Sequence, residues 1–443
     1  MGDLPDESVQ MCVTSPPYWG LRKYAGLPDL IWGGEKDCQH EWVDSSLPVS
    51  GGVGDYEVGR VGNAKARTAS HERKESNTCS LCGAWKGAYG LEPQPELYIA
   101  HTIEILREVR RVLRKDGVVF WNIGDSYYGG GTAGSAKGFN GKQGTNRGSL
   151  NMIGKPLMNS DILKPKDLCL IPFRVAIAAQ EQGWWVRSVI IWNKPNPMPS
   201  SVTDRPSTSH EYILMLTKSA RYYWDAEAVR EPIAYPDRAF SINHLDIRKD
   251  KDNQDSYSIG SQAQDAYYSK LRDKLNAGEP TGRNLRSVWT FPTQGYPEAH
   301  FATYPEKLVE ICVKAATPEV GCCSKCGKPW VRMVEKQTTT EMRKQYGGDN
   351  SGGGSPERLE HGQVSIHGNA PTHDLNGKTK TLGWQPQCKC NADKIPSIVL
   401  DPFCGSGTSL KVAAGLNRRA IGYELSQTYC DLAVERNRQE VLL

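Results

Sequence analysis

The sequence predicts an α/β fold, in which helices cover both faces of a largely parallel sheet. Short apolar runs such as residues 118–123, 186–192 and 398–400 alternate along the chain with segments of helical periodicity such as residues 99–113. Parallel strands need crossover connections, and helices usually supply them. The 443 residues suffice for one large domain with insertions or for two smaller domains.

A glycine-rich turn near the end of the chain joins a predicted strand to a predicted helix. The apolar run ends at Asp401, and Gly405 and Gly407 follow it. Glycine lets the backbone approach a ligand closely because it has no Cβ. An acid about twenty residues beyond such a turn binds ribose hydroxyls in many α/β nucleotide sites, and Glu424 occupies that position. No lysine directly follows Gly407, so the turn is not a phosphate-binding loop; a turn without a ligand is the alternative.

A second motif follows the predicted strand at residues 9–13. It consists of Ser15, Pro16, Pro17 and Tyr18. The two prolines fix the backbone and leave carbonyls that no neighbouring strand can satisfy. Ser15 and the Pro16 carbonyl can accept hydrogen bonds from an amino group, and Tyr18 offers a face for stacking a flat base. A rigid turn with incidental aromatic residues is the alternative.

The two motifs together resemble those of the β class of DNA amino-methyltransferases, the N4-cytosine and N6-adenine DNA methylases. The run from Asn193 to Pro199, continued through Asp204-Arg205-Pro206 and Ser209 to Tyr212, also resembles this family, particularly its zinc-containing phage and bacterial members. The resemblance implies a Rossmann-like, S-adenosylmethionine-dependent methyltransferase sheet whose motif order is circularly permuted. It places catalysis at Ser15, Pro16, Pro17 and Tyr18. It places cofactor binding at Asp401, Pro402, Phe403, Cys404, Gly405, Ser406, Gly407, Thr408 and Glu424, and at His300, Phe301 and Ala302.

Family members usually carry a Gly-Asp segment further upstream of the catalytic motif, near the adenine of the cofactor. Only Met1, Gly2 and Asp3 precede Leu4 here. We therefore do not assign that role to Asp3, and both a truncated chain and a different contact remain open.

The resemblance also implies the reaction, which is site-specific methylation of an exocyclic amino group on a flipped base of double-stranded DNA. In this family, enzymes with serine before the two prolines mostly methylate cytosine N4, and those with aspartate or asparagine there mostly methylate adenine N6. Cytosine N4 is thus the expected target and adenine N6 the alternative. Two further alternatives are an RNA or protein amino-methyltransferase and a catalytically dead, zinc-stabilised DNA-binding protein.

The 13 cysteines are not spaced as a disulfide framework, because several stand in Cys-x-Cys or Cys-x-x-Cys pairs. Thiolates and imidazoles at such spacing are typical zinc ligands. We predict two structural zinc ions, with free thiols as the alternative. The ligands are Cys38, His40, Cys79 and Cys82 in an insertion at about 36–88, and Cys323, Cys326, Cys388 and Cys390 in an insertion at about 321–391.

The domain prediction divides the chain into a catalytic half at 1–224, a target-recognition region at 225–290 and a cofactor-binding half at 291–443. The net charge of +4 allows a nucleic-acid partner without requiring one. A glycine-rich basic stretch bears Lys137, Lys142 and Arg147 and is a candidate for phosphate contacts.

No apolar run spans a bilayer and no signal peptide is seen, so we expect a cytoplasmic protein of a bacterial or phage-infected cell. The resemblance adds a restriction endonuclease as a candidate counterpart; the sequence leaves the oligomeric state open.

Overall fold

The computed structural model describes residues 1–20, 28–44, 75–128, 162–197, 199–200, 202–231, 283–295, 304–336 and 379–438. The described strands are β1 (Val9–Thr14), β2 (Leu30–Trp32), β3 (Trp42–Asp44), β4 (Glu75–Cys79), β5 (Trp85–Gly87), β6 (Leu113–Ile123), β7 (Trp185–Asn193), β8 (His210–Thr217), β9 (Val288–Thr290), β10 (Cys322–Cys323), β11 (Trp330–Lys336), β12 (Thr379–Pro386), β13 (Lys394–Ile395), β14 (Ile398–Asp401) and β15 (Arg419–Gly422). The described α-helices are α1 (Pro95–Val112), α2 (Ile171–Glu181), α3 (Glu306–Ala316), α4 (Thr408–Gly415) and α5 (Gln427–Arg438).

The main sheet contains seven of these strands in the order β15–β14–β1–β6–β8–β7–β9. The pairs β1–β14, β1–β6, β14–β15 and β7–β9 are parallel, whereas β8 is antiparallel to both β6 and β7. Six of the seven strands therefore point the same way, and their carboxyl ends lie along one edge. This confirms the prediction of a largely parallel sheet.

Helices cover both faces of this sheet, as predicted. Alternate residues of each strand point to opposite faces, so Cys12 and Val119 belong to a core with α1 and α2, while Met11 and Phe120 belong to a second core with α3. The strands at the centre of the sheet are buried on both sides. Their sequences are accordingly almost continuous apolar runs.

The boundary between α1 and β6 differs from the sequence prediction. The apolar spacing predicts a helix through Leu113 that ends at Asp116 and Gly117, but α1 ends at Val112 and Leu113 already belongs to β6. Leu113 pairs with Val9 of β1, and the register shifts just after that pair. Tertiary pairing therefore overrides the local periodicity, and Leu113 stays buried in either conformation.

The two predicted insertions form small sheets outside the main one. The first pairs with β2, just before it, in the four-stranded sheet β2–β5–β4–β3. The second forms the pair β11–β12 and, with β13 just after it, the pair β10–β13. None of the described helices combines the length and the apolar character needed to cross a bilayer.

The predicted target-recognition region at 225–290 is described only at its two ends. Asp225 accepts hydrogen bonds from Arg332 of β11, and β9 pairs with β7 in the main sheet. These ends are thus integrated into the large fold. Residues 232–282 lie outside the described residues, so their role in recognition stays a prediction.

Candidate active site

The two sequence motifs meet at the carboxyl edge of the main sheet. Strands β1 and β14 are neighbours, with Cys12 opposite Leu400. The loop after β1 carries Ser15 to Tyr18, and the loop after β14 carries Asp401 to Thr408. Thr14 Oγ1 donates a hydrogen bond of 2.5 Å to Asp401 Oδ1 and ties the two loops together. This edge is where ligands bind in open α/β sheets.

Asp401 is fully buried and holds the start of the glycine loop in place. Besides Thr14, its carboxylate accepts hydrogen bonds from Tyr304 OH at 2.8 Å, from Ser409 Oγ at 2.5 Å and from the Phe403 backbone N–H at 3.0 Å. Burial raises the pKa of Asp401, and the donors offset only part of that shift. The carboxylate therefore orients the loop through its neighbours.

Gly405 faces open space at the tip of the loop. Its φ is +49°, and a Cβ built on it would meet no atom within 4 Å. Its N–H donates to Glu424 Oε2 at 3.0 Å, while Glu424 Oε1 accepts from the N–H groups of Leu425 and Ser426. Gly407, with φ +78°, instead packs against α5, where a Cβ would lie 3.0 Å from Ala433 Cβ. The backbone at Gly405 and the carboxylate of Glu424 thus form an open cradle that fits a nucleoside cofactor.

The other predicted cofactor residues mostly support this cradle. Ser406 and Thr408 are buried, and Arg436 of α5 donates to the hydroxyl oxygens of both. Phe403 stacks on Tyr89 with ring centroids 5.6 Å apart. Pro402 and Cys404 are half-buried in the same turn, and burial raises the pKa of the Cys404 thiol. His300, Phe301 and Ala302 lie outside the described residues.

The side chains of the catalytic motif join a polar cluster. Tyr18 OH lies 3.3 Å from Ser15 Oγ and donates to Glu211 Oε2 at 2.6 Å. Asn122 Nδ2 donates to Ser15 Oγ at 3.2 Å, Tyr18 OH at 2.8 Å and Glu211 Oε2 at 3.0 Å. Lys194 Nζ forms an ion pair with Glu211 Oε1. Tyr18 and Asn122 therefore contact the Ser15 hydroxyl directly, and the ion pair of Glu211 and Lys194 lies behind them.

The backbone of this motif is fixed from two sides. Tyr98 OH of α1 donates to the Pro17 carbonyl at 3.0 Å, and Pro16 is buried. Gly124 lies under the Tyr18 ring, where a Cβ would come within 2.7 Å of the ring carbon Cε2. The loop is therefore held before any substrate arrives.

Comparison with known proteins identifies the family. A family model described as "DNA methylase", for N6 and N4 methyltransferases, matches residues 9–323 and 392–435, well over half of the chain. The chain belongs to this family. The family comprises S-adenosylmethionine-dependent DNA amino-methyltransferases, as the resemblance of the two motifs implies.

Relatives within the DNA methylase family match over most of their length. The Type II methyltransferase M.SmaI of Serratia marcescens is 30% identical over 433 residues, which cover 98% of this chain and 85% of that protein. The Type II methyltransferase M.Cfr9I of Citrobacter freundii is 32% identical over 314 residues, which cover 71% and 68%. Among solved structures, the PvuII DNA methyltransferase (cytosine-N4-specific) aligns with a TM-score of 0.42 at 12% identity, over 98% of this chain and 81% of that one.

Four polar residues of the DNA methylase site are absent from the set predicted from sequence: Asn122, Lys194, Glu211 and Tyr304. Asn122 interrupts the apolar run of β6, and a polar residue there is a signal that could have identified it. Tyr304 lies two residues beyond the predicted Ala302. Lys194 and Glu211 reach the site from β7 and β8, and only the orientation of those strands reveals their position.

The structure brings together both predicted sets of metal ligands. Within each set, the ligand atoms all lie within 4.8 Å of one another. In the first set, Cys38 Sγ is 3.9 Å from Cys79 Sγ, and Cys82 Sγ is 3.4 Å from His40 Nδ1. Burial opposes ionisation of Cys79, but hydrogen bonds from the backbone of Cys82 and from His40 prevail and lower its pKa to about 6. Thiolates gathered in this way suit a soft, tetrahedral cation.

The first insertion adjoins the catalytic loop. Gly20 N donates to the Gly90 carbonyl at 2.8 Å, and Trp19 Nε1 donates to the Glu92 carbonyl at 2.9 Å. Glu92 is fully buried and its carboxylate accepts from Gly90 N and contacts His101 Nδ1, each at 2.9 Å. The segment that leaves the first cysteine cluster thus supports the catalytic loop directly.

The second cluster adjoins the opposite end of the sheet. Cys323 pairs with Lys394 in the β10–β13 ladder, and Ile395 lies three residues before the start of β14. Arg114 Nη1 donates to the Cys326 carbonyl at 3.1 Å. This cluster therefore fixes the amino end of β14, one strand length away from Asp401.

Proposed function

We propose that this DNA methylase transfers a methyl group from S-adenosylmethionine to cytosine N4 in double-stranded DNA. The observation that carries the proposal is the position of Ser15 beside the glycine loop, at the carboxyl edge of neighbouring strands joined by the Thr14–Asp401 hydrogen bond. A methyl donor and an amino acceptor can meet only where the two binding loops lie side by side. The neutral serine before the two prolines supports cytosine over adenine.

The chain's own residues would act on the amino group as follows. The amino nitrogen of a base is a poor nucleophile because its lone pair is delocalised into the ring. Ser15 Oγ and the Pro16 carbonyl accept its N–H bonds, and this stabilises the positive charge that develops on the nitrogen. Serine is short and can both accept and donate, which suits the smaller cytosine.

The cofactor residues have a separate role. S-adenosylmethionine, when bound, supplies a methyl group on a positively charged sulfur that departs as a neutral thioether. The open space at Gly405 admits the cofactor close to the backbone, and Glu424 offers carboxylate oxygens to ribose hydroxyls. Holding donor and acceptor in line supplies much of the rate enhancement.

A base within a duplex cannot reach this pocket, so the target base must leave the helix. Tyr18 provides the aromatic surface on which we propose that the flipped base stacks. The curated relatives are named Type II methyltransferases. We therefore extend the proposal to a restriction–modification system, with an endonuclease of the same specificity as counterpart.

We further propose that each cysteine cluster binds one structural zinc ion. A tetrahedral site with zinc–sulfur bonds of about 2.3 Å separates its ligand atoms by roughly 3.8 Å. The separation of 3.9 Å between Cys38 Sγ and Cys79 Sγ fits that geometry. The 3.4 Å between Cys82 Sγ and His40 Nδ1 is shorter, as expected from zinc–nitrogen bonds of about 2.0–2.1 Å. All four ligands come from the protein in each case, which is typical of structural sites that leave no position open for water.

The base assignment is tested by product analysis. DNA methylated by the purified protein is digested to nucleosides, which are separated and identified by mass spectrometry. We expect N4-methyldeoxycytidine. N6-methyldeoxyadenosine in its place would overturn the base assignment and leave the enzyme class intact, whereas neither product would reject the proposed activity.

A further inference from the structure

A continuous chain of oxygen atoms leads from the catalytic serine to a carboxylate on another strand. Ser15 Oγ lies 3.3 Å from Tyr18 OH, which lies 2.6 Å from Glu211 Oε2. Ser15 and Tyr18 come from the loop after β1, and Glu211 is the second residue of β8. Three ionisable or hydroxyl groups are thus aligned from the position of the substrate amino group toward the β7–β8 ladder.

The hydrogen-bond donors in this cluster determine which oxygen donates to which in the series Ser15, Tyr18, Glu211. An ionised carboxylate can only accept, so Tyr18 donates its single hydroxyl proton to Glu211. Asn122 is 2% exposed, and its Nδ2 lies 2.8 Å from Tyr18 OH and 3.2 Å from Ser15 Oγ as a donor to both. With its own proton on Glu211, the Tyr18 oxygen acts as acceptor for the Ser15 hydroxyl, 3.3 Å away. The protons therefore point from Ser15 to Tyr18 and from Tyr18 to Glu211.

The far end of the chain can hold and release a proton. Glu211 Oε1 forms an ion pair with Nζ of Lys194, the residue that follows β7. Lys194 Nζ also lies 4.5 Å from the Trp192 ring centroid. The Glu211 side chain is 18% exposed and that of Lys194 17%, so both reach solvent. Lys194 and Tyr18 are the titratable groups that contact Glu211 among the described residues. The adjacent His210 points its Nε2 to Tyr212 OH, 3.0 Å away, and Asn122 of β6 is neutral.

We propose that Glu211 is the terminal proton acceptor of methyl transfer and acts through Tyr18 and Ser15. This inference rests on the proposed amino-methylation. In the transfer, the amino nitrogen forms a bond to the methyl carbon, the carbon–sulfur bond breaks, and its electron pair goes to sulfur. The nitrogen becomes positively charged and gives a proton to Ser15 Oγ. The Ser15 proton moves to Tyr18, the Tyr18 proton moves to Glu211, and the resulting carboxylic acid releases it to solvent.

The test measures the single-turnover rate of methyl transfer to unmethylated genomic DNA, because product release can mask the chemical step. The variants are Glu211→Gln, Tyr18→Phe and the double variant, with Glu181→Gln as a control, since Glu181 is exposed at the end of α2. A general base contributes about 10² to 10⁴ in rate, so we expect each single variant to lose about 100-fold or more. The double variant should lose no more than the worse single one, because both interrupt the same relay.

The pH profile separates a proton acceptor from a merely structural residue. The wild-type rate should fall at acid pH, because a carboxylic acid cannot accept the transferred proton, and the residual rate of Glu211→Gln should lack that fall. Calorimetry should show S-adenosylmethionine affinity within about threefold of wild type in every variant.

Three results would overturn the relay: a Glu211→Gln rate close to wild type, an unchanged acid limb in that variant, or additive losses in the double variant. If Glu211→Gln does not fold, Tyr18→Phe keeps the ring and decides alone, since a rate near wild type would exclude the relay. Failure of the wild-type protein to methylate any DNA would reject the proposed function and the relay with it. Wild-type methylation with unaffected variants would reject the relay alone.

Discussion

Asp401 links three structural elements of the site through its carboxylate. Its carboxylate accepts hydrogen bonds from the hydroxyls of Thr14 at the end of β1, Tyr304 before α3 and Ser409 in α4. The side chain is fully buried. Removing it should therefore destabilise the fold, so any loss of cofactor binding in an Asp401 variant has to be compared with the loss of stability.

We predict that Asp401→Ala lowers both the melting temperature and the free energy of unfolding. It leaves the buried hydroxyls of Thr14 and Ser409 and the half-buried Tyr304 without their acceptor, and each unsatisfied buried group costs about 1–3 kcal/mol. Asp401→Asn should lose less because its amide keeps one acceptor oxygen. Thermal and urea unfolding measure both effects. An Asp401→Ala protein as stable as wild type would contradict the role of this carboxylate.

Gly405 provides a cleaner test of cofactor binding. Gly405→Val would place a side chain in the open space of the cradle, so we expect loss of S-adenosylmethionine binding in a folded protein. Gly33→Val is the matched control, because Gly33 has φ +64° and also faces open space but follows β2, outside the glycine loop. Both changes carry similar backbone strain, about 1–2 kcal/mol. Calorimetry that finds wild-type affinity in Gly405→Val would reject the placement of the cofactor.

At the level of structural elements, the two cysteine clusters support opposite ends of the sheet. The first adjoins the catalytic loop through Gly90 and Glu92, and the second adjoins the amino end of β14. Loss of the first should therefore disturb catalysis, while loss of the second should mainly disturb stability.

We predict two zinc ions per chain, measured by metal analysis of protein purified without a chelator. Cys82→Ala and Cys326→Ala should each lose one ion and melt at a lower temperature, since zinc binding is coupled to folding. The rate of methyl transfer should fall more in Cys82→Ala, because Gly20 and Trp19 donate hydrogen bonds to Gly90 and Glu92, just after the first insertion. Protein without zinc would reject both sites, and a single ion would reject one of them.

The sequence predicts those parts of the site whose residues are close together in the chain. The Ser15 and Gly405 loops are each contained within about a dozen residues. One or two residues separate the two members of each pair of metal ligands. Glu211 is 193 residues from its partner Tyr18, and Asn122 is 104 residues from it. Only strand order brings these groups together. The reversed direction of β8, which places Glu211 at the carboxyl edge, has no periodicity signal.

The difference between local sequence pattern and strand pairing also explains why the end of α1 was predicted wrongly at Leu113. Its apolar side chain fits both the helical spacing of α1 and the buried strand β6, and pairing with Val9 decides between them. The prediction of two covered sheet faces succeeded because it depends on the alternation of elements and not on their exact ends.

For the molecule as a whole, the net charge of +4 is too small to explain DNA binding by itself. The basic stretch with Lys137, Lys142 and Arg147 lies outside the described residues and remains a predicted phosphate contact. Neutralising all three should weaken binding to every DNA sequence. The slope of the logarithm of the binding constant against the logarithm of the salt concentration should become shallower by up to about three. Titrations at several salt concentrations measure this. An unchanged slope would show that the stretch does not contact phosphates.

The central claim is that the Ser15 loop and the glycine loop together methylate DNA. Its most direct test is the transfer of a labelled methyl group from S-adenosylmethionine by wild type and by Ser15→Ala, with duplex DNA, RNA and protein offered separately. We predict label in duplex DNA alone. Ser15→Ala should bind the cofactor normally and transfer at least about 100-fold more slowly, because the lost hydrogen bond acts on the amino nitrogen. Absence of label in DNA, or equal transfer by Ser15→Ala, would contradict this account.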